Sequence, residues 1–400
     1  MTFSSEIVAD FAVIMTIAAI VTFLFYKLKQ PLILGYLIAG IIIGPYTPPF
    51  SLVTRLDVLG AAADLGVILL LFGIGLEFPL AKLRNVGLKV PIGISAIEIV
   101  LMFLISYGIG WMLGWSFIDS LFLGAALASS STVIIAKVLT DLGKLKDTSA
   151  LVMMGVLVAE DILVVLMLAL ITSIAGAGPL GLPGLAWTVG KIFLFIFGAL
   201  IIGSLVVPRI IDRIARLEQN EVLILIALGL CFGLSVVANL LGLSMAIGAF
   251  LMGVLVANAK SSGKIALLTS PIKDMFAAMF FVSMGALIDI TQFRVFLVPA
   301  LIVTAVMMVG KMVGCGLGTK VFGYDTSTSL KVGLGMGQVG EFAFIVVKAG
   351  QDMNLISPIL FPIIGVAAAI TAFTTPYSVK LSYKIDSTRW FARLRRRSTR

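Results

Sequence analysis

Apolar runs broken by glycine, proline and charge divide the chain into thirteen segments, near 5–26, 31–45, 57–78, 87–114, 117–140, 148–176, 187–208, 219–239, 241–258, 266–287, 293–320, 328–350 and 355–384. A helix needs about 20 apolar residues to cross a hydrocarbon core of about 30 Å, and most of these runs approach that length. The pattern predicts an all-α polytopic membrane protein with about 13 transmembrane helices. Composition agrees: 60% of the 400 residues are hydrophobic, 12% are charged and the mean hydropathy is +1.16, a balance that no water-exposed surface of ordinary size could accommodate. The opening run "SEIVADFAVIMTIAAIVTFLFYKLKQ" has no short apolar core followed by a small-residue cleavage site, so it reads as a first span rather than a removed signal peptide.

Charge between the segments sets the orientation. Lys27, Lys29, Lys82, Arg84, Lys89, Lys144, Lys146, Arg209, Arg213, Arg216, Lys260, Lys264 and Lys320 fall in odd-numbered loops, whereas the even loops hold little beyond Arg55 and Arg294. By the positive-inside rule the N-terminus is outside and the C-terminus cytoplasmic, which requires an odd number of spans. The net charge of +9 is therefore a topology signal, and nucleic acid is not an expected partner. The tail at 385–400, with "RWFARLRRRSTR", suits anionic lipid headgroups. Cys231 and Cys315 lie inside apolar segments as buried thiols, which excludes a disulfide framework and a cysteine metal site. Histidine is absent, so proton chemistry must use carboxylates or lysines.

A second organisation underlies the first. "LGYLIAG" at 34–40 returns in outline as "IGAFLMG" at 247–253, "LFGIGLEF" at 71–78 as "FVSMGALID" at 281–289, and the serines at 129–131 lie opposite "GQVGE" at 337–341. All three pairings share an offset of roughly 210 residues, which is better explained by duplication than by chance. The expected exchanger domain, 1–384, then divides into one six-helix repeat near 5–176, a linker helix near 187–208 and a second repeat near 219–384. An odd linker forces the copies into opposite orientations, the inverted-repeat plan whose substrate sites sit near the midplane at discontinuous helices.

"GLGMGQVGEF" at 333–342 contains a literal G-x-G-x-x-G at Gly335, Gly337 and Gly340. The dinucleotide reading fails, because the fingerprint needs a strand before it and a helix after it, and here an apolar span surrounds it. No cofactor is expected. The glycines instead weaken a helix interior by about 1 kcal/mol each relative to alanine. An interrupted helix at membrane depth is tolerated only where its freed backbone groups line a cavity or ion site. The repeat mate "LASSSTVII" at 127–135 supplies Ser129, Ser130, Ser131 and Thr132, whose hydroxyls can replace lost backbone bonds or coordinate a cation. Two crossed discontinuous helices would bring partial charges of both signs together and require charged compensation. The competing structural reading is that the glycines allow close helix packing and the serines bond back to their own helix.

Charges inside the spans carry the chemistry. Glu160 and Asp161 lie mid-run in "GVLVAEDILVVLML", where each is disfavoured by ~2.5–3.5 kcal/mol and so marks an ion or proton path. Neighbours on a helix point about 100° apart, so one carboxylate can face the ion while the other faces a partner. Lys311 in "MMVGKMVGCGLG" is the expected partner, pairing with Glu160. Glu98 in "SAIEIVLMF" is also deep, and the sequence names no partner for it. Asp64 and Glu77 are read as near span ends, Glu341 as neutralising the positive end of a half-helix, and Lys348 as reaching the outer surface.

The stretches "LKQPLILGYLIAGIIIGP", "DLGVILLLFGIGLEF", "ASSSTVIIAKVL", "VLVAEDILVV", "LGLSMAIGAFLMGVLVA", "VGKMVG" and "GMGQVGEFAFIV" together resemble the monovalent cation/proton antiporter superfamily, in the branch of Kef-type potassium and NapA-type sodium antiporters. The resemblance implies that Asp161 is the ion-binding aspartate, holding Na+ or K+, beside Glu160. It implies that Lys311 pairs with the first acid, and that Ser130, Ser131 and Thr132 with Gly337, Gln338, Gly340 and Glu341 form the crossed unwound segments. It also implies a homodimer in the inner membrane, with one domain moving its site against a dimerisation domain. Family members with two acids tend to be electrogenic sodium antiporters and those with Gln-Asp tend toward potassium; Glu-Asp matches neither pattern, so ion and stoichiometry stay open. Kef-type relatives add a cytoplasmic nucleotide-binding domain, whereas this chain ends at Arg400. The expected activity is exchange of Na+ or K+ for H+ by alternating access, not an enzymatic reaction. A gated cation channel or sensor, or a sodium-coupled organic anion symporter, are the other readings; a channel would favour repeated carbonyl rings and a symporter more polar side chains at the breaks.

Overall fold

The computed structural model describes residues 5–28, 30–47, 52–53, 55–77, 89–176, 182–241 and 243–386. The basic tail beyond 386, and with it Lys29, Lys82 and Arg84, lies outside the described residues. A helix, or a helix broken in two, falls on each apolar segment: α1 Ser5–Lys27, α2 Leu32–Ile43, α3 Leu56–Glu77, α4 Lys89–Leu113, α5 Phe117–Leu127, α6 Thr132–Asp141, α7 Thr148–Gly176 and α8 Leu182–Ala215. The remainder are α9 Asn220–Leu240, α10 Met245–Ala257, α11 Ser262–Ala286, a 3-10 turn at Ile290–Gln292, α12 Phe293–Val321, α13 Thr326–Gly335, α14 Phe342–Asp352 and α15 Leu360–Asp386. Among the described residues there is no strand, which removes the dinucleotide fold for 335–340. Ten helical stretches are long and apolar enough to cross a bilayer, so this is a multi-pass membrane protein; α2 and α10 are shorter apolar helices.

The uniformly apolar runs become helices because a backbone without water must bond within its own segment. Polar residues mark where the runs start. Ser116 and Asp119 form a reciprocal capping box ahead of α5, and Ser244 and Asp325 cap α10 and α13. The linker helix is longer than the expected 187–208: α8 has 34 residues, about 51 Å at 1.5 Å per residue, and so exceeds the hydrocarbon thickness. The helix runs past the expected bounds at both ends, and the longer extension is the charge-bearing one around Arg209 and Arg213, which hydropathy alone trims away. Asp64, expected near a span end, lies well inside α3.

Two compact units emerge, and they do not follow the linear order of the repeats. One comprises residues 1–86 and 172–292, the other 87–171 and 293–400, so each draws a segment from both halves of the chain.

The first unit is held by glycine contacts. Gly40 of α2 lies against the backbone of α11, where a methyl group would overlap the Val282 carbonyl and approach Gly285 Cα at 2.8 Å; from the other side, a methyl on Gly285 would overlap the Leu37 carbonyl. The same arrangement joins α10 to α3: Gly253 faces the Phe72 carbonyl and Gly75 faces the Phe250 carbonyl, each without room for a side chain. Small residues let helix backbones approach where lipid offers no hydrophobic drive for association. Around the first contact Ile14, Ala39, Ile43, Val282 and Ala286 form a closed apolar cluster. Gly253→Ala should therefore destabilise the protein by about 1–3 kcal/mol through overpacking against rigid backbone. Thermal unfolding in detergent reads this directly, and an unchanged midpoint would contradict the α3–α10 approach.

The second unit consists of α4 to α7 and α12 to α15 and contains both helix breaks. The chain unwinds at 128–131, between α5 and α6, and again at 336–341, between α13 and α14.

Candidate functional site

The two unwound segments touch. Gly340 N–H donates to the Ser129 carbonyl at 2.9 Å, and the approach is so close that a methyl on Gly340 would overlap Ser129 Oγ and lie 2.6 Å from the Ser130 carbonyl oxygen. Each break then exposes helix ends whose dipoles need partners. At the C-terminal end of α5 the Lys311 ammonium donates to the Leu127 carbonyl at 2.9 Å. At the N-terminus of α6 the Ser131 hydroxyl accepts from Ile134 N–H at 3.4 Å. The second break is served by α15: Thr371 Oγ1 accepts from Val339 N–H at 3.2 Å, and Ser378 Oγ donates to the Leu334 carbonyl at 2.7 Å. Glu341 occupies the position before α14 but makes no cap bond there; its carboxylate lies near enough to Asp161 to act on it.

The adjacent acids of α7 part, as a 100° step requires. Glu160 is fully buried and faces Ser130 and Lys311, with its Oε2 4.0 Å from Lys311 Nζ. Asp161 is partly accessible and faces Thr132 and Glu341. Thr132 and Glu341 are likewise partly accessible as residues, although Thr132 Oγ1 and Glu341 Oε2 are themselves buried, and this group of three oxygen-bearing side chains adjoins a sealed one. In the sealed part Ser129 Oγ and both amide atoms of Gln338 are buried without a hydrogen-bond partner. Unsatisfied buried oxygens are costly, and an assembly of them beside a carboxylate is what a dehydrated monovalent cation would satisfy. Gly337 packs on Met312, with a methyl position 3.1 Å from Met312 Cγ, and contributes no polar atom beyond its backbone.

The expected pairing of Lys311 with Glu160 is present at 4.0 Å, and Glu98 of α4, for which the sequence names no partner, is the nearer carboxylate, its Oε1 3.3 Å from Nζ. Lys348 is largely buried, and its ammonium meets Asp352 one turn on, at 2.5 Å; that carboxylate is half exposed, so the side chain extends along α14 to a surface counterion at i+4. Thr371 and Ser378 were missed altogether. The signal was there, since Thr371, Thr374, Thr375 and Ser378 recur at helical spacing in the apolar run of α15.

Known proteins can now be set beside this geometry. The fold matches the solved sodium proton antiporter MjNhaP1 from Methanocaldococcus jannaschii with a TM-score of 0.74 over 96% of this chain and 99% of that one, at 18% identity. In sequence the chain is 33% identical to the Na(+)/H(+)-K(+) antiporter GerN of Bacillus cereus, over 89% of this chain and 91% of GerN. It is also 33% identical to YbaL of Escherichia coli, over 86% of this chain and 62% of that protein, and 31% identical to K(+) efflux antiporter 5 of Arabidopsis thaliana, over 94% of this chain and 66% of that protein. The chain thus spans somewhat under two thirds of the length of the last two relatives. Residues 12–381 match the family described as sodium/hydrogen exchanger, transmembrane, and the chain belongs to that family.

Proposed function

We propose that this chain exchanges a monovalent cation, Na+ or K+, for protons by alternating access, with Asp161 as the site that cation and proton share. The observation that carries this reading is the crossing itself: two unwound segments bonded through Gly340 and Ser129, with buried unpartnered oxygens of Ser129 and Gln338 beside a carboxylate pair. A bound cation would take oxygens from Asp161, Thr132 and the break at 129–131, with Glu341 supplying negative charge at the N-terminus of α14. No covalent bond is made or broken. The named activities of GerN and of K(+) efflux antiporter 5 point to the same pair of cations. The test is proton movement in proteoliposomes with sodium, potassium and choline compared; equal responses to all three would refute the reading.

The frame is read as two inverted repeats giving thirteen spans, outside N-terminus and cytoplasmic C-terminus, in a homodimer of the inner membrane. Support for the repeat comes from the exchanged glycine contacts, because Gly40 with Gly285 becomes Gly253 with Gly75 when the halves are swapped. The breaks obey the same exchange, since α5 and α6 stand to α13 and α14 at an offset of about 210 residues.

Ser130→Ala and Thr132→Ala should weaken apparent cation affinity by roughly 5- to 30-fold, the equivalent of about 1–2 kcal/mol for a lost oxygen contact to a charge, and lower maximal turnover less. Both effects are read from the cation dependence of proton flux. Reduced thermal stability with wild-type affinity would mean that these hydroxyls only repair the broken helix.

A further inference from the structure

α12 turns Gly310, Gly314 and Gly318 toward α4 on successive turns. A methyl at Gly310 would overlap Ile105 and approach Met102 Cε at 2.6 Å; at Gly314 it would meet Glu98 Cα at 3.2 Å, and at Gly318 Ile94 Cα at 3.2 Å. Small residues four apart draw two helix backbones together, and here they deliver Glu98 to Lys311 with both side chains fully buried. The ammonium is then served by Glu98 Oε1 at 3.3 Å and the Leu127 carbonyl at 2.9 Å, while Glu160 stands off at 4.0 Å. Charge-assisted hydrogen bonds run at about 2.7–2.9 Å; both carboxylates stand beyond that range, Glu98 the nearer at 3.3 Å and Glu160 farther off at 4.0 Å. The titratable groups facing Glu98 are Lys311 and Cys315 from α12 and Glu160 from α7.

We propose that Glu98 is the standing counterion of Lys311, a positioning residue that relieves Glu160 of that task and so makes Glu160 a second proton carrier beside Asp161. This rests on the exchange reading above. A buried group containing one ammonium and two carboxylates is neutral only when one acid is protonated, and burying net charge is costly. Glu98 is the carboxylate nearer Lys311, at 3.3 Å against 4.0 Å, so the charge is assigned to Glu98 and the proton to Glu160. In the cation-free state Glu160 and Asp161 each hold one proton. Cation entry releases both protons to the solution facing the site, the bound cation offsetting one of the two negative charges so formed and Ser130 being turned toward the Glu160 carboxylate, while Lys311 keeps its proton and Glu98 its charge. One cation then exchanges for two protons, and one net charge crosses per cycle. Without Glu98, Glu160 becomes the counterion of Lys311, stays ionised, and only the Asp161 proton is exchanged.

The stoichiometry can be read from a null point that does not depend on rate. With the membrane potential clamped at zero and a tenfold gradient of the transported cation, flux stops at a pH difference of about half a unit for two protons per cation and about one unit for one proton. The wild type and Glu98→Asp should stop at about half a unit, and Glu98→Gln at about one unit. The double variant Glu98→Gln with Lys311→Gln frees Glu160 again and should return to about half a unit, which a purely structural ion pair would not produce. A wild-type null at one unit, a Glu98→Gln null equal to wild type, or a double variant remaining at one unit would each overturn the role given to Glu98. Should Glu98→Gln fail to fold, Glu98→Ala takes its place with the same expected null at about one unit. Absence of any cation-dependent proton movement in the wild type would overturn the exchange reading itself, and exchange with a null at one unit only the role of Glu98.

Discussion

Asp161→Asn should reduce cation-dependent proton flux to the level of empty liposomes while leaving the protein folded. The amide keeps the size and shape of the carboxylate but cannot carry a proton in exchange, and it removes the negative charge that offsets a dehydrated cation. A hydrogen bond or contact to a charged group is worth up to about 3 kcal/mol, so the cation term alone is roughly a hundredfold in affinity. Loss of the proton carrier acts on turnover independently. Folding should survive because the charges that act most on Asp161 are the acids Glu341 and Glu160, so the amide removes repulsion rather than the counterion of a buried cation. Glu160 differs in this respect, being buried beside Lys311. The measurement is a pH-sensitive dye inside proteoliposomes, beside a thermal melt of the same preparation. Sodium- or potassium-dependent flux retained by the folded variant would place the exchange site elsewhere.

Gly340→Ala should be nearly as damaging by a different route. The added methyl would overlap Ser129 Oγ and come within 2.6 Å of the Ser130 carbonyl oxygen and 2.7 Å of its carbon. A side chain could rotate away, but the Ser130 backbone cannot, so the two unwound segments must separate. That removes the 2.9 Å bond from Gly340 N–H to the Ser129 carbonyl and moves the oxygens grouped near Asp161. Overpacking against rigid backbone costs about 1–3 kcal/mol, and losing the bond adds about 1 kcal/mol. Cation affinity should fall by more than about tenfold, given 1.4 kcal/mol per decade, together with a lower melting temperature. Gly263→Ala is the control, since a methyl there meets nothing within 4 Å. If Gly340→Ala matched that control in both affinity and melting, the crossing would not be as close as the geometry has it.

Much of this protein is legible along the chain, and the reason is the solvent it is built for. A bilayer forces each apolar run to satisfy its own backbone, so the length of a run sets the helix, and the boundaries of α4, α7 and α12 fall within a few residues of the runs at 87–114, 148–176 and 293–320. Interruptions are equally local. The run of serines at 129–131 and the closely spaced glycines around 337–340 each weaken a helix locally, and both segments are unwound. A carboxylate pair inside an apolar run is costly enough to mark itself, which is how Glu160 and Asp161 stood out.

Tertiary structure alone decided who meets whom. Local periodicity put Glu98 on a helix, but its partner Lys311 stands on α12, more than 200 positions along the chain, and only the Gly310, Gly314 and Gly318 edge of that helix brings the two together. Thr371 and Ser378 likewise read as ordinary polar positions in a span until α15 packs on the second break and they bond Val339 N–H and the Leu334 carbonyl. Lys348 has its counterion within its own helix at Asp352, yet its burial depends on what α14 packs against. The sequence by itself determined the helices, their interruptions and the buried charges, because each follows from the free energy of placing a residue in lipid. Which charge balances which, and which hydroxyl repairs which broken end, was decided by the packing of distant helices, because an ion pair or hydrogen bond depends on a few ångströms of separation that no local pattern encodes.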